Sequence, residues 1–270
     1  MRLALLFGVL LTSPALALDV TIAGKLEQGG LVIGTAPPGS AITVGQRRFP
    51  AAADGTFLVG LGRNAPAILE VKVSAPNGES ETLTVAVAPR EWKIDKVDGV
   101  PQNLVTPDPA TEKRIAEDSK LLRLARAKFF SEPLYATGFI RPAEGRISGV
   151  YGSQRILNGE PRNVHAGLDI AAPTGAPIKA AADGIVTLAQ PGMVLSGGTV
   201  LINHGYGLQT SYIHMSRLDV AEGQRVKQGE VIGAIGATGR VTGPHLHFSV
   251  LWFDTSLDPT TILALLPGKD

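Results

Sequence analysis

Between residue 19 and about residue 88, short runs of apolar and β-branched residues alternate with turn residues. The runs fall at 19–23, 31–35, 41–44, 56–59, 67–73 and 82–87, punctuated by Gly29-Gly30, Pro37-Pro38-Gly39, Asp54-Gly55 and Asn77-Gly78. Evenly spaced short strands with such turns predict a small antiparallel β-sandwich over residues 18–95. No catalytic residue types gather there, which points to a folding or positioning role. Several prolines and no sustained period follow, and then Asp108-Pro109 offers a capping carboxylate with proline at the first helical position. The helix is predicted to run to about Phe130. Its apolar stripe is Ile115, Leu122, Ala125 and Phe129, widened by Leu121 and Leu124. Residues 96–133 therefore read as linker plus helix, with the stripe packed against a neighbouring domain. β patterns return over 134–270, with strands predicted at 178–188, 199–204, 208–214, 231–235 and 247–253. Their Gly-, Asp- and Pro-rich connections suggest a largely antiparallel sheet folded on itself. The fold class is mainly β: an N-terminal sandwich, one connecting α-helix and a C-terminal antiparallel sheet.

The 32 glycines and 19 prolines agree with a turn-rich β protein. The sequence has no cysteine, which excludes a disulfide framework, a thiolate metal site and a cysteine nucleophile. Residues 1–17 read as a signal peptide, with Arg2 as the positive region, a short apolar core over 3–11 and Ala15-Leu16-Ala17 as the cleavage site. The apolar run is too short to span a bilayer comfortably, and no cysteine is present to carry a lipid. A periplasmic or secreted protein with no stable membrane anchor after cleavage is expected. Without Arg2 the chain carries 24 basic and 24 acidic residues. That balance argues against nucleic acid as a partner and against a polybasic membrane contact.

Candidate chemistry gathers on the five histidines. In Gly243-Pro244-His245-Leu246-His247-Phe248 a turn runs into an apolar strand. Strand alternation puts His245 and His247 on one face and Leu246 with Phe248 in a core. Two imidazoles on one face are costly unless water, a metal or a substrate receives them. His165 and Asp169 lie four apart around a glycine, a spacing that in an extended chain puts imidazole and carboxylate on one face. Both are good zinc ligands, but two do not complete a site, and either His245 or His247 is available as a third. His214 ends the stretch Thr210-Ser211-Tyr212-Ile213-His214, where alternation places Thr210, Tyr212 and His214 on one face. The helical His-Glu-x-x-His signature is absent, so a zinc site here must be built from strands and loops. No glycine pattern supports nucleotide binding.

Taken in order, His165-x-x-x-Asp169, Tyr212-Ile213-His214 and Gly243-Pro244-His245-Leu246-His247-Phe248 resemble the lysostaphin-type (LytM-type, M23) zinc metallopeptidases, which cut peptides in bacterial peptidoglycan. The resemblance covers roughly residues 138–260, including Gly149-Val150-Tyr151-Gly152 and Val226-Lys227-Gln228-Gly229-Glu230. It implies one zinc ion per chain, ligated by His165, Asp169 and His247. His245 and His214 are implied as catalytic non-ligands flanking the attacking water, with base and stabiliser roles that are interchangeable at this level. Peptidoglycan is the implied substrate, and a regulatory envelope protein the implied further partner. His204, in Asn203-His204-Gly205, reads as structural, because three protein ligands already suffice. The alternative is a catalytically silent LytM-type protein that binds or activates other wall hydrolases, but such proteins lack part of the His/Asp set. Residues 225–233 also resemble the rhythm of biotinyl and lipoyl carrier domains, without the Met-Lys-Met-like turn a carrier needs.

Overall fold

A computed structural model describes residues 18–97, 109–157, 160–161 and 163–269. The expected signal peptide at 1–17 and the expected capping Asp108 lie outside the described residues. Seven strands build the N-terminal half: β1 (Thr21–Gly24), β2 (Leu31–Thr35), β3 (Ala41–Val44), β4 (Arg47–Pro50), β5 (Thr56–Gly60), β6 (Ile68–Ser74) and β7 (Ser80–Ala86). They form two antiparallel sheets, ordered β1-β2-β5 and β4-β3-β6-β7. Apolar side chains from both sheets, among them Leu31, Phe57, Ile42 and Val71, are fully buried in one core. The sandwich is the one the turn spacing predicts, with β4 as an addition. It is short and carries two arginines, so its apolar signal is weak, and it forms by pairing back on β3 across Gly45 at φ 57°.

The C-terminal half is organised around one large sheet. After β8 (Ile94–Val97) and helix α1 (Pro109–Arg126) come β9 (Arg146–Gly149), β10 (Gln154–Leu157), β11 (Glu160–Pro161), β12 (Leu168–Ala171) and β13 (Pro177–Lys179). Then follow β14 (Gly184–Met193), β15 (Gly197–Asn203), β16 (Leu208–Leu218), β17 (Arg225–Val226), β18 (Val231–Ile235), β19 (Leu246–Trp252), β20 (Thr255–Leu257) and helix α2 (Pro259–Leu265). The sheet order is β17-β14-β15-β16-β19-β12-β9, and its pairs are antiparallel. The single strand expected at 178–188 is two strands. β13 pairs with β18 and β14 with β15, and the buried Ala180, Ala181 and Ala182 carry the chain between them. β8 lies parallel to β10 in a separate three-stranded sheet, ordered β11-β10-β8, which ties the segment after the sandwich to the C-terminal half.

Further contacts bind the halves, and one apolar core runs through both. Phe49 meets the rings of Trp252 and Phe253 at 5.6 and 5.8 Å between centroids. Arg47 sits over Phe253 at 4.2 Å and pairs with Asp254 at 2.6 Å. Arg90 pairs at 2.9 Å with Asp258, whose carboxylate also caps α2 through the Thr260 amide. Helix α1 departs from expectation at both its end and its face. It stops at Arg126, and Phe129 leaves the helix to stack against Phe253 and meet Tyr206 edge-on. Leu121 and Leu124 do not widen the buried stripe but face solvent, 42% and 58% exposed. The contact face is Leu122 and Ala125, packed with Leu188, Met193 and Leu201, together with Asp118, which accepts from the Val194 amide.

Candidate metal centre

The pairing of β12 with β19 builds the site. Asp169 lies directly opposite His247, while the flanking pairs Leu168–Phe248 and Ile170–Leu246 turn to the core. Leu246, Phe248 and Ile170 are fully buried, so hydrophobic burial fixes the register and thereby sets carboxylate against imidazole on the other face. His165 precedes β12 in an irregular segment and closes the group. His165 Nε2 is 3.0 Å from Asp169 Oδ1 and 3.0 Å from His247 Nδ1, and His247 Nδ1 is 2.8 Å from Asp169 Oδ1. Two glycines clear the space. A Cβ on Gly149 would come within 2.3 Å of Asp169 Oδ2, and one on Gly167 within 2.9 Å of His247 Nε2.

The outer ring nitrogens decide what the inner ones present. His165 Nδ1 lies 2.8 Å from the Val150 carbonyl and donates to it. His247 Nε2 lies 2.9 Å from Ser249 Oγ, which sits two residues on along the same face of β19. With a cation bound, the outer nitrogens would hold the ring protons and leave His165 Nε2 and His247 Nδ1 to present lone pairs beside Asp169 Oδ1, whereas in the metal-free protein a proton on an inner nitrogen is donated to that oxygen. Three electron-rich atoms converging in this way suit a bound cation. Burial alone would raise the Asp169 carboxyl, but hydrogen bonding and charge from His165 and His247 outweigh it and hold the group well below the usual carboxylate range. Burial pushes His247 down, against the pull of Asp169, so its ring is neutral as a metal ligand requires. Two imidazoles and a carboxylate, all half-buried with donor atoms within 4.8 Å of one another, fit a divalent metal.

His245 and His214 stand beside this group. His245 Nε2 is 3.8 Å from Asp169 Oδ1, with Nδ1 held by the Gly243 carbonyl at 2.9 Å. The His214 ring lies 4.8 Å from that of His245 and 6.3 Å from that of His247, with Nδ1 on the Thr238 carbonyl at 2.9 Å. Burial lowers His214 to about 4, helped by the neighbouring histidines, so it is neutral at physiological pH. Simple alternation is corrected here. Tyr212 pairs with Phe248 and is fully buried, whereas Ile213 is the residue opposite His247. His214 joins the histidines because its backbone turns left-handed, at φ 67°, and redirects the ring out of the strand's alternation.

Residues 163–259 match the model of Peptidase family M23, and these are the residues that carry the donor set. The chain therefore carries a peptidase M23 domain. It is 37% identical over 152 residues to the DD-carboxypeptidase/endopeptidase Mpg of Neisseria meningitidis, covering 56% of this chain and 33% of that protein. It is 40% identical over 119 residues to the peptidoglycan DD-endopeptidase ShyC of Vibrio cholerae, covering 43% of this chain and 27% of that one. The chain thus spans a third or less of the length of these curated relatives. A crystal structure of a Pseudomonas aeruginosa protein assigned to peptidase M23 superposes with a TM-score of 0.66 at 28% identity, over 90% of this chain and 96% of that one. The likeness therefore extends beyond the M23 domain to the N-terminal sheets.

Within the M23 domain, His204 lies apart from the donor group. It is fully buried, bonded to the Asp183 carbonyl at 2.7 Å and to Thr210 Oγ1 at 2.8 Å. Thr210 passes the chain of hydrogen bonds to the Tyr212 hydroxyl, which accepts from the Ala181 amide. Two contributors escaped sequence reasoning, Ser249 and the Val150 carbonyl. Ser249 was open to detection, since it shares the face of His245 and His247 by the same alternation. Val150 acts through its backbone, which leaves no side-chain signal.

Proposed function

We propose that the chain is a zinc-dependent peptidoglycan endopeptidase that hydrolyses peptide bonds in stem peptides or cross-links, in the periplasm or outside the cell. The convergence of His165 Nε2, Asp169 Oδ1 and His247 Nδ1 carries the reading, because two imidazoles and a carboxylate are a donor set that would hold zinc. Zinc bound there supplies Lewis acidity to a peptide carbonyl and makes water acidic enough to ionise near neutral pH. The chain's own part is proton handling and orientation. With Nδ1 committed to Gly243, His245 keeps Nε2 as a base beside Asp169, takes the proton from water and returns it to the leaving amine. His214, neutral and anchored on Thr238, orients the water through its own Nε2. Presence of the full donor set with both flanking imidazoles favours an enzyme over a silent binding protein.

The names of the relatives direct the choice of bond, since Mpg and ShyC are both described as acting on D,D linkages. Purified chain is incubated with defined D,D-cross-linked muropeptides and the products weighed, before and after chelation and zinc re-addition. Cleavage that disappears on chelation and returns with zinc is the expected result. Full cleavage by the metal-free protein would sink the mechanism.

A further inference from the structure

The turn at 150–153 grips His165 three times. The Val150 carbonyl holds the ring at Nδ1 (2.8 Å), the Gly152 amide donates to the His165 carbonyl (2.9 Å), and the His165 amide donates to the Ser153 carbonyl (2.8 Å). That turn does not stand alone. Its other side is held by residues from the N-terminal half. Arg63 Nε donates to the Gly152 carbonyl at 2.9 Å. The Trp92 ring lies flush against Gly152, where an added Cβ would come within 2.0 Å of it, and meets Tyr151 edge-on at 5.6 Å. Arg63 and Arg90 sit over the Trp92 ring at 5.2 and 4.6 Å, and the Lys93 carbonyl accepts from the Gln154 amide at 2.9 Å. Arg63 forms no ion pair with a carboxylate among the described residues, so its guanidinium is directed at the Gly152 carbonyl, the Trp92 ring and the neighbouring Asn64.

From this arrangement we propose that Arg63 and Trp92 are positioning residues for the metal ligand His165, and that the N-terminal sandwich is thereby part of the metal site. The proposal rests on the metal reading of His165, Asp169 and His247. Partners that orient a ligating imidazole typically contribute 10–100-fold in metal affinity. Here the Val150 carbonyl is such a partner, and its place depends on a turn that Arg63 and Trp92 pin from outside.

Zinc affinity of the full chain is measured by competition with a chromophoric chelator, and the visible spectrum of the cobalt-substituted protein reports ligand geometry. Arg63→Ala is compared with wild type and with Arg47→Ala, which removes a contact between the halves on the Phe253 side of the joint. Thermal melting of the metal-free proteins checks folding, and the milder Arg63→Gln serves if Arg63→Ala unfolds. The expected result is a loss of about 10-fold or more in zinc affinity with an altered cobalt spectrum for the Arg63 variant, and neither change for Arg47→Ala. Wild-type affinity and spectrum in a folded Arg63 variant would overturn the proposal. So would an equal loss in Arg47→Ala, which would point to general loosening of the joint. If wild-type protein retains no zinc, the metal reading itself fails and this inference falls with it.

Discussion

At the scale of single residues, the proposed ligands differ from their neighbours by distance, since His165 and His247 reach Asp169 Oδ1 at 3.0 and 2.8 Å while His245 stands 3.8 Å away. His247→Ala removes a donor atom and is expected to abolish zinc retention, read as metal content after dialysis. His245→Ala leaves the donor set whole, so zinc should be retained while turnover falls by about 10²–10⁴-fold. Ser249→Ala frees His247 Nε2 to change tautomer, and zinc affinity should drop roughly 10–100-fold with little change in fold. His204 offers a test of pH dependence away from the metal. Burial lowers it from its ordinary 6.5 to about 4, against the pull of Asp183, which Lys227 in turn pairs. Above 6.5 the ring is neutral in folded and unfolded chains alike. Below it the unfolded chain takes the proton first, so stability is lost as pH falls from 6.5 towards 4, by up to about 3 kcal/mol. Urea denaturation of the metal-free chain at pH 7.5 and 4.5 should therefore show a smaller pH loss in His204→Gln than in wild type.

At the scale of elements, β19 does two jobs through one alternation. Leu246, Phe248 and Val250 anchor it from behind, and His247 and Ser249 work on the other face. Phe248→Ala should cost about 3–5 kcal/mol in urea denaturation of the metal-free chain, because the fully buried ring leaves a cavity next to Tyr212. This division was legible in the sequence, since period-two patterning reports burial directly. His214 was legible as a candidate but not in its placement, since a left-handed backbone at one residue overrides the pattern and leaves no mark in composition. The same holds for α1, whose helical period was plain while its contact face depended on which neighbour it met. Leu121 and Leu124 are apolar yet exposed, and Asp118 is charged yet lies at the contact.

At the scale of the whole molecule, the halves share one core, and the joint is built from large side chains. Trp252 and Leu257 pack against Gly60, where an added Cβ would come within 2.6 Å of the tryptophan, and Phe49 covers Trp252 and Phe253. Removing the sandwich would expose this apolar face, so an isolated 134–270 fragment should self-associate or melt well below the full chain, measured by light scattering and thermal denaturation. Among the described residues no helix is long and apolar enough to cross a membrane.

What the sequence by itself determined is everything that burial and turn chemistry write locally. It carried the mainly β class, the sandwich strands, the helical period of α1 and the five residues of the candidate site. The histidines at 245 and 247 could be read against Leu246 and Phe248 because a strand repeats every two residues. Tertiary structure decided the relations that span distance in the chain. Asp169 meets His247 only once β12 and β19 settle into register, and His165 takes its orientation from the Val150 carbonyl. The turn bearing Val150 is held in turn by Arg63 and Trp92 from the other half of the chain. Backbone carbonyls and cross-chain contacts have no residue signature, so they become visible only when the chain has folded.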